Sequence, residues 1–144
     1  MSATEGLKIG KAVFYILSNN TAVTSVTGMS AAKIQPAPMK EQGNADVGVL
    51  YEFDAVNPVN RKRELRVFTA PLYIVDFTCE CIARDYGDSI NLADAVGQAL
   101  QEATSGTYNG IKVDGITLTS ANELYNKERR YYSKSLSFQA RVLL

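Results

Sequence analysis

Between Leu72 and Ala103 the hydrophobic period of this chain changes once, and that change restricts the fold more than any other feature. In LYIVDFTCECIAR, residues Tyr73, Val75, Phe77, Cys79, Cys81 and Ala83 recur at every second position, which places them on one face of a pleated strand. Leu72, Ile74, Asp76, Thr78, Glu80 and Ile82 form a mixed second face. After a turn at Asp85-Tyr86-Gly87 the period becomes 3.6. Asp88 or Ser89 can cap a helix there, by accepting a bond from a free backbone N–H of the first turn. Leu92, Val96, Ala99, Leu100 and Ala103 then share a stripe on a helix expected to end near Gly106. An apolar strand face joined by a tight turn to a helix with one apolar stripe is satisfied when the helix folds back over the strand.

The flanking segments supply further layers. Thr4 can cap a first helix, with Glu5 suited to the positive end of its dipole, and Leu7, Ile9, Val13, Phe14, Ile16 and Leu17 give it about three turns before Asn19-Asn20 stops it. TAVTSVTG allows a short helical turn before Gly28, and Lys33-Ile34 opens an extended piece cut short by Pro36 and Pro38. Val47 to Val56 reads as a strand with Val47, Val49, Tyr51 and Phe53 on one side, ended by Asn57-Pro58. Val59 to Ala70, containing RKRELR, reads as a long polar hairpin arm. Ser105-Gly106 to Asn109-Gly110 is expected to be a turn, and Ile111–Val113 and Ile116–Leu118 strand broken by a bulge or hairpin at Asp114-Gly115. Asn122 to Arg130 reads as a polar connection. The last strand, Tyr132 to Leu144, turns Leu136, Phe138, Ala140 and Val142 inward and Ser135, Ser137, Gln139 and Arg141 outward. The expected fold class is α+β: one domain over 1–144, a mostly antiparallel sheet with helices packed on one face, and one long polar hairpin arm.

Composition removes several function classes. Fifteen basic residues balance fifteen acidic ones, so net charge gives no support for a nucleic-acid or membrane-surface protein. No apolar run approaches the ~20 residues of a membrane span. MSATEGLKIGKAV lacks the apolar core and cleavage site of a signal peptide, so the expected setting is a cytosol or a particle assembled there. Histidine is absent, which removes the commonest general base and leaves Cys79 and Cys81 too few for a zinc site. Those two cysteines, about 6.5 Å apart on one strand face, are poorly placed for a disulfide and read as reduced core residues. Gly6-Leu7-Lys8-Ile9-Gly10-Lys11 is one residue too short for a phosphate loop and Ala12 stands where Ser or Thr belongs. Asn19-Asn20-Thr21 fits a glycosylation acceptor only formally. Asp76 and Glu80, with Thr78 between them, read as a polar strip on the outer sheet face and not as an acid–base pair. The expectation is no enzyme, no metal and no cofactor.

Two basic clusters remain, Arg61-Lys62-Arg63-Glu64-Leu65-Arg66 in the arm and Lys127-Glu128-Arg129-Arg130 before the last strand. Tyr108, Tyr125, Tyr131 and Tyr132 fall near the second. Arg and Tyr are enriched in interface cores, so Arg61, Lys62, Arg63, Arg66, Lys127, Arg129, Arg130 and Tyr131 are the candidate assembly residues, for a protein partner or as a positive lining beside DNA.

The linear order goes further. A helix (GLKIGKAVFYIL), a short helical piece ending in Gly28 and an extended KIQP come first. A strand of form VGVLYEFDAVNPVN, the unit IVDFTCECIARDYGDSINLADAVGQALQ and a final NELYNKERRYYSKSLSFQARV follow. Together they resemble the tail-terminator (tail-completion) family of long-tailed bacteriophages and gene-transfer particles, from about Leu7 to Val142. The resemblance implies a structural virion protein that forms a ring, expected to be a homohexamer, at the head-proximal end of the tail tube. Its implied partners are further copies of itself, the tail tube protein and head–tail connector proteins, with DNA only passing through the lumen and no membrane. The implied location is the tail or neck of the virion, assembled in the host cytoplasm. The alternatives are another neck, connector or tube protein, or a small cytosolic ligand-binding module or enzyme with a site under the Tyr-rich late loops.

Overall fold

The computed structural model describes residues 9–36, 47–58, 72–103, 105–128 and 130–143, the side chains of Pro58 and Leu72 excepted. Its centre is the strand expected from the period-two segment. That strand, here β3 (Leu72–Ala83), buries Tyr73, Val75, Phe77, Cys79, Cys81 and Ala83, each at 3% exposure or less. Helix α3 (Tyr86–Gln101) follows and packs Leu92, Val96, Ala99 and Leu100 into the same core. The cap is Asp85, not Asp88 or Ser89: its carboxylate accepts the Asp88 N–H at 3.0 Å, so the residue assigned to the turn starts the helix. The helix ends at Gln101, before Gly106.

Strand β2 (Val47–Pro58) lies antiparallel on one side of β3, and β6 (Tyr131–Leu143) lies antiparallel on the other. β2 runs through Asn57-Pro58 instead of ending there. The short β1 (Ile34–Pro36) pairs with β2 in parallel, beside Val49 to Tyr51. On the far side, β5 (Ile111–Asn126) pairs with β6, and β4 (Gly106–Tyr108) pairs with the start of β5. The six-stranded order is β1-β2-β3-β6-β5-β4. This is the expected α+β class, mostly antiparallel with one parallel pair.

Two segments differ from expectation. Gly106 to Tyr108 is strand, and the turn shrinks to Asn109-Gly110, both at positive φ (48° and 82°) as a two-residue primed hairpin turn requires. Asn122 to Asn126 is not connection but the continuation of β5, which runs to Asn126, with β6 beginning at Tyr131. The expected interruption at Asp114-Gly115 is a register shift between Val113 and Ile116, with Gly115 at φ 133°.

Helix α1 (Ile9–Ser18) buries Ile9, Ala12, Val13 and Leu17, an i, i+3, i+4, i+8 stripe. Phe14, expected to face inward, is 37% exposed because it falls outside that stripe. Asn20 accepts the Val23 N–H and starts the one-turn helix α2 (Thr21–Thr24). All three helices share one core with β3, β5 and β6, where Phe77 and Phe138 stack at 5.3 Å between centroids. Cys79 and Cys81 are free and fully buried in it. Burial pushes the Cys79 thiol well above its ordinary range, and that of Cys81 up to about 12.

Candidate assembly interface

The side of the sheet away from the helices carries the polar strip expected of β3. Its carboxylates are held by different neighbours. Thr78 Oγ1 donates to Asp54 Oδ2 at 2.8 Å, Ser133 Oγ to Glu80 Oε1 at 2.7 Å and Gln139 Nε2 to Asp76 Oδ1 at 3.2 Å. Asp76 and Glu80 are thus each tied to a separate rung of β6, an arrangement that cross-links strands instead of converging on a reacting atom. Among the described residues there is no group of three or more His, Cys, Asp or Glu side chains able to hold a metal, and no helix long and apolar enough to cross a membrane. Among the described residues the charges on this face are mainly acidic: Glu52, Asp54, Asp76 and Glu80 against Lys112 and Arg141, read from the pairing of each residue with its neighbours and, for Asp54, from its bond to Thr78.

Of the expected contact residues, Arg61, Lys62, Arg63 and Arg66, with the arm that holds them, lie outside the described residues, as does Arg129. Lys127 and Arg130 are exposed in the β5–β6 turn, where Arg130 takes φ 58° and its N–H donates to the Asn126 carbonyl at 2.8 Å. Tyr131 is the half-buried first residue of β6, with its Oη 3.4 Å from Asn126 Nδ2. The described residues of this turn thus put the cations of Lys127 and Arg130 at a hairpin tip.

Below that tip lies a cluster that joins two of the late tyrosines, Tyr125 and Tyr132, to Tyr86, Glu123 and Lys134. Tyr132 packs against Tyr125 at 4.8 Å and against Tyr86 from the start of α3 at 5.0 Å. Lys134 Nζ sits 4.6 Å from the Tyr86 ring centroid and forms an ion pair with Glu123 across the β5–β6 ladder. That ammonium, and then the Tyr86 hydroxyl, hold the Glu123 carboxyl below the usual range. Tyr125 and Tyr86 are about half exposed, and Leu124, on the opposite face, is 66% exposed. The signal for this cluster is the alternation of Glu123 and Tyr125 in ANELYN, which has the two-residue period of strand, but its apolar residues, Ala121, Leu124 and Tyr125, fall on both faces and mark neither.

The tyrosines pack ring against ring. Two surface grooves lie elsewhere, one between α2 and α3 lined by Ser25, Asp88, Asn91 and Gln98, the other beside α1 lined by Tyr15, Ile16, Ala99 and Tyr108. Neither includes Tyr125 or Tyr132.

Among the described residues, both flanks of the sheet are paired over only part of their length. On β2, the strand β1 reaches from Val49 to Tyr51. On β5, the strand β4 reaches from Ile111 to Val113. Among the described residues, no strand lies beside Glu52–Pro58 on the side away from β3, or beside Ser120–Tyr125 on the side away from β6. Uncovered strand edges are templates for pairing with another chain.

No family model matches this chain, and no curated protein matches it. Among solved structures, it is similar to a chain in the virion of a native gene transfer agent particle, with a TM-score of 0.67 and 18% identity. The match covers 94% of this chain and 95% of that one. At that identity the likeness establishes a shared fold along nearly the whole chain.

Proposed function

We propose that this chain is a structural virion protein of a phage or gene-transfer particle, and specifically a tail terminator. It forms a homohexameric ring on the head-proximal end of the tail tube, stops tube polymerisation and presents a surface to the head connector. The observation that carries the reading is the whole-length likeness to a chain of a gene transfer agent virion, joined to the order of segments along the sequence. A ring needs heterologous contacts, two different surfaces of one chain that fit each other, and the partly covered sheet flanks supply two such surfaces. The basic residues Arg61 to Arg66 and the hairpin tip with Lys127 and Arg130 are its charged contacts with neighbour, tube or connector. DNA passes through the lumen without base readout, and the role requires neither catalysis nor cofactor.

Imaging of intact particles tests this directly. Six copies in one layer between tube and connector are expected, and particles lacking the chain should carry tubes of uncontrolled length without heads. Copies along the whole tube would assign the chain as the tube protein, and copies within the head-side neck as a connector component. A chain absent from particles would overturn the reading.

A further inference from the structure

We propose that successive copies of this chain join edge to edge into one continuous antiparallel sheet, the Glu52–Pro58 edge of β2 accepting the Ser120–Tyr125 edge of β5 from the next copy. The inference rests on the ring reading above and names its contact.

Direction, register and charge all bear on it. β2 and β5 run in opposite senses in the sheet, because β2, β3, β6 and β5 alternate through three antiparallel pairings. A second copy placed beside the first in the same orientation therefore presents its β5 antiparallel to β2. The two short edge strands then fix the register. β1 blocks β2 at Val49 to Tyr51, and β4 blocks β5 at Ile111 to Val113, so only the uncovered halves can meet. These halves lie at opposite ends of the sheet. Ala55 is level with Asp76 of β3 and so with Gln139 of β6, whereas Leu124 is level with Ser133 of β6. Both side chains fall on the face turned away from α3, and bringing them together displaces the neighbour by the six residues from Ser133 to Gln139, about 20 Å along the strands.

That displacement accumulates over the four long strands of each copy, which span about 19 Å across the sheet. A rise of that size over that width inclines the strands by about 45° to a closed ring, at the upper end of the 35–45° at which β-barrels close. The number of copies cancels, so the geometry fits closure without itself choosing six. In the same register Asn126 of the neighbour comes level with Glu52, which sets Lys127 at the start of its hairpin tip one position beyond that carboxylate. Leu124, the most exposed of the large apolar side chains, becomes covered. The occupant of each edge is thus a second copy of the chain.

Paired thiols test the contact. In the Ala55→Cys/Leu124→Cys variant, mild oxidation of the assembled protein should give a ladder of covalent multimers ending at the ring size. Either single substitution should stop at a dimer or below. The native thiols of Cys79 and Cys81 are fully buried and give an unreactive background. A ring that forms in this variant, by native mass spectrometry, but yields no ladder overturns the edge pairing and leaves the ring reading standing. A chain that stays monomeric at high concentration and beside tail tubes overturns both. A cross-link from position 124 to the tube protein alone would assign that edge to the tube and reject the second copy as its occupant.

Discussion

β3 and β5 flank the same strand, β6, and are the contrasting halves of this molecule. β3 meets β6 in an unbroken register from Leu72 to Ala83, and its inward side chains are buried under α3. β5 shifts register twice against β6, between Val113 and Ile116 and between Leu118 and Ser120, and from Thr119 to Tyr125 every residue is exposed. Both are extended chain, but different forces hold them. β3 is fixed by the area it removes from water, while the end of β5 is fixed by its ladder to β6 and by the Tyr125–Tyr132 and Glu123–Lys134 contacts. A strand held by burial is committed to the fold. One held by pairing alone keeps a second edge for another chain.

The sharpest way to break this contrast is to remove an anchor from the β3 side. Phe77→Ala should cost about 3–5 kcal/mol and Leu100→Ala about 2–5, read as loss of midpoint in urea unfolding, because each vacates a fully buried site. An unchanged midpoint would mean that α3 does not cover β3. Next comes pH. The buried thiols ionise later in the folded chain than in the unfolded one, so above their ordinary range the unfolded state loses protons first. Stability should therefore be full below about pH 8.5 and fall from there towards pH 12, by as much as ~1.4 kcal/mol per pH unit for each thiol. Denaturation followed against pH, with Cys79→Ala and Cys81→Ala for comparison, checks the sign; stability rising above pH 9 would contradict it.

Smaller still is the cap. Asp85→Ala should cost about 1 kcal/mol by freeing the Asp88 N–H, whereas Asp88→Ala should not reproduce that loss. At the bottom of the scale, Leu124→Ala should change stability by less than about 0.5 kcal/mol. If the midpoint of the dilute monomer falls further, the far end of β5 is held by burial within the chain and its contrast with β3 is smaller.

The candidate surface was less legible than the core, for reasons visible in particular residues. Lys127, Arg130 and Tyr131 were picked out by residue type and do lie together at one hairpin tip. Leu124, Glu123, Lys134 and Tyr86 were not, because their meeting depends on the β5–β6 register and on where α3 begins. Asn122 to Asn126 was read as connection because a strand without an apolar face has no hydrophobic period to betray it. Asp85 was read as turn, since Asp85, Asp88 and Ser89 are all competent caps and only the backbone path selects one.

What the residues alone determined is the α+β class and the inner face of β3, the stripe of α3 and the inward side of β6. Each of those follows from a local period matched to the removal of apolar area from water, which a single stretch of chain already encodes. The tertiary structure alone decided the strand order, the pairing of β1 and β4 along part of each flank, and the opposite ends of β2 and β5 that no described strand covers. Those depend on which distant segments share backbone hydrogen bonds, and since every peptide group can make such bonds, residue identity does not choose among them.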